Sequence, residues 1–490
     1  MKRILSATLI ATIYEHYPNL AQSEAYRKLF LHLMFCSIHE GGYALVDRQA
    51  LAVIDNSYQE LMGHRYVAET FLSNFQEATN IRLTIKGYNY LEGKARMAKP
   101  HFHKEIEAAL TTEIDNISKG IQEDMYNFVT GNKFNKKTIA ALRKELDAEV
   151  KLFYDNASEE ALPILEYLND LPPNIFTKIV NQNIAATWAA LSNIESSEAD
   201  PNKRKQKTIE LKTIESNILA SIQEYPKPYY KPSGAGRTVR IFPHNPSMLQ
   251  LQKDLRLTLT KGLWEYDLVS SQLAIVATLW NIVEVKEFLQ SGNHIWTELF
   301  THLGFNYQLL KTENITKFNL LKRLLKESLY SIIYGMKKSA LLANLTKGFQ
   351  KLKINKKGAD YFTHPIIKAL LTAREQKIKN ILQAECLVMP WYNNKTLQLI
   401  GSSLKEKQES VKSLLAQEAQ LMEMLLIAPV FELAKESKGE FTIVLFMHDG
   451  FTVHYLRSDR VNLWESRIKE AVDKVAKHYG ILTEIEGALI

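Results

Sequence analysis

Apolar residues recur with a helical period along most of this chain, and the few places where the period changes mark its strands and boundaries. From about 106 to 220 they return every three to four residues, predicting an elongated helical arm. Leu171-Pro172-Pro173 breaks it, and the polar run 196–207 reads as an exposed loop. Before the arm, Leu31-His32-Leu33-Met34-Phe35 belongs to an apolar helix, while Ile81-Arg82-Leu83-Thr84-Ile85-Lys86 alternates like a strand ahead of a Gly87-Tyr88-Asn89 turn. Residues 1–105 are expected to form a small, mostly helical domain, with a winged-helix module left open. The stretch 225–243 is rich in proline, glycine and aromatics with basic residues between, and predicts a domain boundary carrying a nucleic-acid-facing loop.

The C-terminal half changes period again. An apolar segment ends at Asp267, helices run to about 380, an irregular piece surrounds Met389-Pro390-Trp391, and a long helix covers roughly 403–437. Then 441–447 is a continuous apolar run, His448-Asp449-Gly450 a tight turn and 451–455 a second strand, which together predict a β-hairpin. A helix over about 459–478 and a strand over 482–485 close the chain. The expectation is a helix-rich α+β protein divided at about 1–105, 106–225 and 226–490.

Composition adds little to this picture. With 490 residues, 46% hydrophobic and 23% charged, the chain is ordinary for a globular protein with a large core. Cys36 and Cys386 are too few and too far apart for a disulfide framework or a zinc site, which suggests a reducing compartment. The N-terminal apolar run is interrupted by Glu15 and His16 and reads as a helix, not a signal. The longest charge-free apolar stretch, 268–283, is short for a membrane span, so a cytoplasmic protein without a membrane partner is expected. Charge is more informative: twelve of the Lys and Arg residues fall between 311 and 357 against two acids, Glu313 and Glu327, although the whole chain carries only +7. Such a segment fits a phosphate-rich partner, and equally a solvated basic face.

Three short motifs carry the chemistry. Asp267 and Asp449 each follow an apolar strand-like run, and two carboxylates on a rigid sheet can hold two divalent ions about 4 Å apart. Taken alone, each has a plainer reading, Asp449-Gly450 as a hairpin turn pair and Asp267 as the cap of the next helix. Between them Lys322, Lys326, Tyr330 and Tyr334 recur every four residues, so on a helix they form one slanted stripe, ended by Gly335. Two ammonium groups followed by two rings suit a ligand with a polyphosphate end and a base end. A mixed surface face, or tyrosines belonging to a core, would show the same spacing.

The ordered set of motifs resembles the polymerase domain of family A DNA polymerases and their relatives, the single-subunit phage and mitochondrial RNA polymerases, over residues 233–490. Lys326-x3-Tyr330-x3-Tyr334-Gly335 matches the fingers-helix motif position for position, Asp267 through Ala277 resembles the first acidic motif, and His448-Asp449 the last. The resemblance implies palm, fingers (about 285–385) and a helical thumb, with the arm as thumb. It implies Asp267 and Asp449 as ligands of two Mg²⁺ ions, with Mn²⁺ as a substitute, and Lys322 and Lys326 on the triphosphate. Tyr330 and Tyr334 would lie against sugar and base. Gly236-Arg237, followed by Pro246-Ser247-Met248, is similar to the primer-contacting stretch, where Arg240 is an alternative to Arg237. Gln417 or Gln420 is similar to a primer-template glutamine, and His448 joins the nucleic-acid-binding set. DNA primer-template and dNTPs are the implied partners, with replication proteins as further candidates.

Departures from the pattern separate the branches. Gln272 stands where the DNA enzymes carry a glutamate that screens out the ribose 2′-OH and the RNA polymerases carry glycine, which favours DNA. Gly450 stands where the DNA enzymes usually have glutamate, which brings the motif closer to the RNA polymerases. Asp147-Ala148-Glu149 has an exonuclease-like spacing but lies in a charged helical run, so no proofreading domain is expected. The expectation is a DNA polymerase extending a primer 3′-OH. The alternatives are a single-subunit RNA polymerase or primase, and a non-catalytic nucleic-acid-binding replication protein, which would need basic residues but no paired acids.

Overall fold

The computed structural model of the chain describes residues 4–22, 24–35, 44–45, 82–90, 93–101, 103–121, 124–133, 144, 148–150, 152–196, 201–233 and 238–490. Most of the segment on which a winged-helix reading depends, 46–81, lies outside the described residues, as do Cys36, Asp147, Gly236 and Arg237.

The N-terminal half runs β1 (Ile4–Ser6), α1 (Ala7–His16), α2 (Glu24–Phe35), β2 (Ala44–Leu45), β3 (Arg82–Tyr90), β4 (Gly93–His101), α3 (Lys104–Ser118), β5 (Met125–Asn127), α4 (Leu162–Asp170), α5 (Pro173–Ser192), α6 (Pro201–Glu224), β6 (Tyr230–Pro232) and β7 (Ile241–Pro243). Local signals account for several starts. Ser6 caps α1 by accepting from the Leu9 amide, and Pro173 opens α5 where a missing N–H costs nothing. The loop expected over 196–207 is shorter than its polarity suggests. Pro201 starts α6, and 201–207 are helical, because lysine, arginine and glutamine are good helix formers when no apolar stripe is required of them. The described residues on both sides of position 105 share one core, in which Leu9, Ile13, Phe30, Ile106, Leu110, Phe176 and Leu219 are buried together.

The C-terminal half continues with α7 (Lys253–Leu259), β8 (Trp264–Leu268), α8 (Ser271–Leu279), α9 (Val283–Gln290), α10 (Ile295–His302), α11 (Tyr307–Glu313), α12 (Ile315–Ile333), α13 (Lys338–Lys351), α14 (Pro365–Ala384), β9 (Cys386–Met389), β10 (Lys395–Gln398), α15 (Leu404–Glu436), β11 (Phe441–Phe446), β12 (Gly450–Tyr455), α16 (Val461–Tyr479) and β13 (Ile485–Leu489). The result is a helix-rich α+β fold. Its four-stranded sheet has the order β11-β12-β8-β13, antiparallel throughout. Along β8 the two-residue period sends Tyr266 and Leu268 into a core with Met422, Ile427 and Phe431 of α15 and Trp464 and Ile468 of α16. Glu265 and Asp267 therefore point to the opposite face.

β11 is buried at every position, and a bulge between Ile443 and Leu445 lets it serve two cores. Ile443 and Phe446 join the α15–α16 side, while Val444 and Leu445 join the N-terminal core. A third core gathers α8 to α14 around Phe300, Leu321, Leu325, Phe349 and Ile367. Two segments differ from expectation. Around Met389-Pro390-Trp391 the chain forms the hairpin β9–β10, which turns through Asn393 and Asn394 at positive φ, a conformation asparagine tolerates. The closing strand begins at Ile485 because Gly480 ends α16 in the left-handed region, φ 67°, and 481–484 bring the chain back to Leu268. α15 is long and apolar enough to cross a membrane by length and composition, yet 72% of its most apolar window is buried against the rest of the protein, as in a core helix.

Candidate active site

Antiparallel register brings the two acids together. Gly450 pairs with Asp267, and the Leu268 amide donates to the Asp449 carbonyl at 3.0 Å, so Asp267 on β8 and Asp449, just before β12, meet at one end of the sheet. The hairpin turn is not centred on Asp449-Gly450. Its two loop residues are His448 and Asp449, closed by the Met447 amide donating to the Gly450 carbonyl at 2.8 Å, with His448 at φ 74°. Gly450 is the first residue of β12, and what demands glycine is space: a Cβ there would lie 2.3 Å from the Tyr266 carbonyl oxygen and 3.3 Å from Asp267 Oδ1.

Asp267 opens onto the cleft but is closely surrounded by protein. That burial, with the Asp449 charge as second cause, pushes its carboxyl up to about 7, while the Lys326 ammonium pulls the other way. Lys326 thus lies within electrostatic reach of Asp267 from another element. On α12 the residues Phe318, Leu321, Leu325, Leu329 and Ile332 are buried, and Lys322, Lys326, Tyr330 and Tyr334 occupy the adjoining face. The stripe ends at Gly335 in a Schellman motif, in which the Gly335 amide donates to Ile332 and the Met336 amide to Ser331. Gly335 has φ 80°, and a Cβ there would approach Lys412 Cγ to 3.2 Å.

The stripe faces the acids. Tyr330 and Tyr334 have ring centroids 6.4 Å apart, and Lys326 Nζ lies 5.4 Å from the Tyr330 ring centroid. Burial, then the Asp449 and Glu423 charges, raise the Tyr330 hydroxyl far above its ordinary value. Burial and Glu423 bring Tyr334 up to about 12. Lys322 is half-buried and shifted down, first by burial and then by Lys326, Lys311 and Lys253, a cluster of cations held at close quarters.

Beneath the acids lies a carboxylate that the sequence reading missed. Glu423, on α15, is 1% exposed and accepts from Arg240 Nη2 at 2.7 Å and from the Ser271 hydroxyl at 3.3 Å. Burial raises its pKa, and Arg240 opposes that rise. Burial likewise works against the Arg240 charge, and Glu423 outweighs it, so the guanidinium ends above its ordinary value. The only sequence signal was a lone acid inside Leu421-Met422-Glu423-Met424-Leu425, a charge where the helix is otherwise apolar. Gln272, on α8, is 2% exposed and lies against Glu423, but neither of its amide atoms meets hydrogen-bond geometry.

The remaining expected residues divide. The His448 ring packs on Phe242 and Phe446, and burial followed by Arg240 lowers it to about 3, so it is neutral at physiological pH. Arg240 is in the cleft, and Arg237 lies outside the described residues. Of the two candidate glutamines, Gln420 accepts from the Thr238 hydroxyl beside Arg240, whereas the Gln417 side chain bonds Ser413 of its own helix. Glu149, from the exonuclease-like spacing, pairs with His244 at 2.7 Å.

Two oxygen-donor carboxylates, one holding its proton partly because of the other's charge, fit hard divalent cations, which would relieve that repulsion. No protein-family model and no curated protein sequence matches the chain. Among solved structures it is similar to the POL domain of Pol1 from M. smegmatis in complex with DNA primer-template and dNTP. The identity is 13% and the TM-score 0.44, over 70% of this chain and 64% of that one. At that similarity, what the site can do follows from its own residues.

Proposed function

We propose that the chain is a template-directed DNA polymerase of the family A type, adding dNTPs to a primer 3′-OH without a proofreading exonuclease. The observation that supports this most is the meeting of Asp267 on β8 and Asp449 in the hairpin turn before the paired strand β12 with the Lys322–Lys326–Tyr330–Tyr334 stripe of a different element. In this reading the four-stranded sheet is the palm, the helices of about 285–385 the fingers, and the helices of 106–225 the thumb.

Asp267 and Asp449 would hold two Mg²⁺ ions, which supply charge stabilisation to the attacking and leaving oxygens. Lys326 and Lys322 receive the triphosphate. Lys322 is lowered first by its burial and then by Lys326, and an arriving anion would offset both. Tyr330 and Tyr334 present rings to sugar and base, Arg240 and His448 face the nucleic acid, and Gln272 occupies the space beside C2′. Glu423 positions Arg240 and does not touch substrate.

One observation favours a second reading, an RNA polymerase or primase. The backbone leaves no room for any side chain at position 450, where the DNA enzymes of the resemblance carry glutamate. Primer extension with labelled dNTPs or NTPs, on DNA and RNA templates with and without primer, separates the two. Primer-dependent dNTP incorporation is expected, a preference for NTPs would move the second reading ahead, and no incorporation of either would overturn both.

A further inference from the structure

Far along the chain from the acids, α1 and α3 bring three donors together. His16 is the last residue of α1, His103 is the N-cap residue of α3, and Glu105 is in the first turn of α3. One ligand-capable atom from each lies within 4.8 Å of the others, and this is a grouping of at least three His, Cys, Asp or Glu donors among the described residues. The two imidazole rings stack with centroids 4.4 Å apart and planes inclined by 21°, and His103 Nδ1 is 3.6 Å from Glu105 Oε2. Although His103 occupies an N-cap position, its side chain makes no capping hydrogen bond.

We propose that His16, His103 and Glu105 form a binding site for a borderline transition-metal ion of the zinc type, separate from the Mg²⁺ chemistry of the sheet. Two imidazoles and one carboxylate match that class. Hard ions such as Mg²⁺ prefer all-oxygen sets. Metal–ligand bonds of about 2.0–2.2 Å set tetrahedral donors roughly 3.4 Å apart, so binding draws donors now within 4.8 Å of one another closer together. A fourth position stays open to water. The ion would fasten the end of α1 to the start of α3, closing the base of the intervening chain, so its binding is coupled to the stability of the N-terminal unit.

The support beneath is firm. Tyr17, next to His16, is fully buried, packs on Phe30 and meets the His103 ring edge-on with ring centroids 5.8 Å apart, while α1 and α3 share the N-terminal core. His103 and Glu105 are largely exposed, so substituting them leaves that core intact.

The test is Co²⁺ titration of the chelator-treated full-length protein, read by visible d–d absorption and followed by Zn²⁺ displacement. One equivalent of tetrahedral Co²⁺, displaced by Zn²⁺ but not by Mg²⁺, is expected. The band should disappear in His16→Ala and His103→Ala, weaken in Glu105→Gln, and persist in Asp449→Asn. No band, or a band unchanged in both histidine variants, overturns the site. Zinc-edge X-ray absorption on the wild-type protein decides without variants: two imidazoles in the coordination shell support the site, and an all-oxygen or thiolate shell overturns it.

Discussion

The acidic end of the sheet and the basic face of α12 present chemistry by opposite means. Asp267 and Asp449 are short side chains whose positions are set by backbone hydrogen bonds between strands, with Gly450 bared so that β12 can close on β8. Lys322 and Lys326 are long side chains on a regular helix, aligned by its period and otherwise free to follow a ligand. A site that must fix two ions needs the first kind of support, and one that must admit and release a phosphate chain can use the second. The acids should therefore tolerate no change, and the stripe should lose function by degrees.

Replacing an acid is the most severe way to break this comparison. Asp267→Asn or Asp449→Asn should lower incorporation by about 10³-fold or more, since a metal ligand commands several kcal/mol of transition-state stabilisation. Primer-template binding should change little. Full activity in either variant sinks the two-metal assignment, and joint loss of folding points to a structural role. Lys326→Ala should cost about 10²–10³-fold in kcat/KM, through both higher nucleotide KM and lower kcat. A nonspecific basic face would instead lose nucleic-acid affinity in a salt-dependent way with nucleotide KM unchanged.

The buried pair beneath sharpens the contrast. Arg240→Ala strands Glu423 as an uncompensated buried charge and should destabilise by about 3–5 kcal/mol, while Arg240→Ala combined with Glu423→Gln should recover much of that loss. Denaturant unfolding of both variants measures it, and equal stability would show that the pair does not hold the cleft together. Gln272→Gly should raise acceptance of ribonucleotides several-fold in paired dATP and ATP kinetics, about 1 kcal/mol of lost discrimination. An unchanged ratio would remove Gln272 from the sugar side.

A further expected effect is on pH dependence. Because Asp267 in the folded protein holds its proton up to about 7, against an ordinary 3.8, folding takes up a proton between those values. The stability it contributes is full below pH 4, falls as pH rises to about 7 and is flat above. Asp267→Asn should therefore gain in Tm over the wild type as pH is raised from 4 to 7, and Mg²⁺ should flatten the wild-type slope by stabilising the ionised form. Parallel curves for variant and wild type would contradict the raised pKa.

Much of the site's inventory was legible, because it depended on local rules. The four-residue spacing of the stripe and the apolar run of β11 are periodicities, and they appear as α12 and the β11–β12 hairpin. The helical start at Pro201 was misread because local polarity was taken for a loop, and the β9–β10 hairpin because strands of four residues are too short to show a period. Glu423 escaped because one acid in an apolar helix gives no hint of a partner 183 positions away.

What the chain by itself determined is the order of elements and the residues each places on one face, since both follow from side-chain period and from glycine and proline at turns. What only the tertiary structure decided is proximity: Asp267 beside Asp449 through strand register, Glu423 beneath Arg240, and His16 beside His103 and Glu105. Those pairings depend on long-range packing of three cores, in which each contact closes a loop whose partner no local pattern names. The pKa of Asp267 and the need for glycine at 450 arise only after that packing, because burial and a neighbouring carbonyl are properties of the folded cleft.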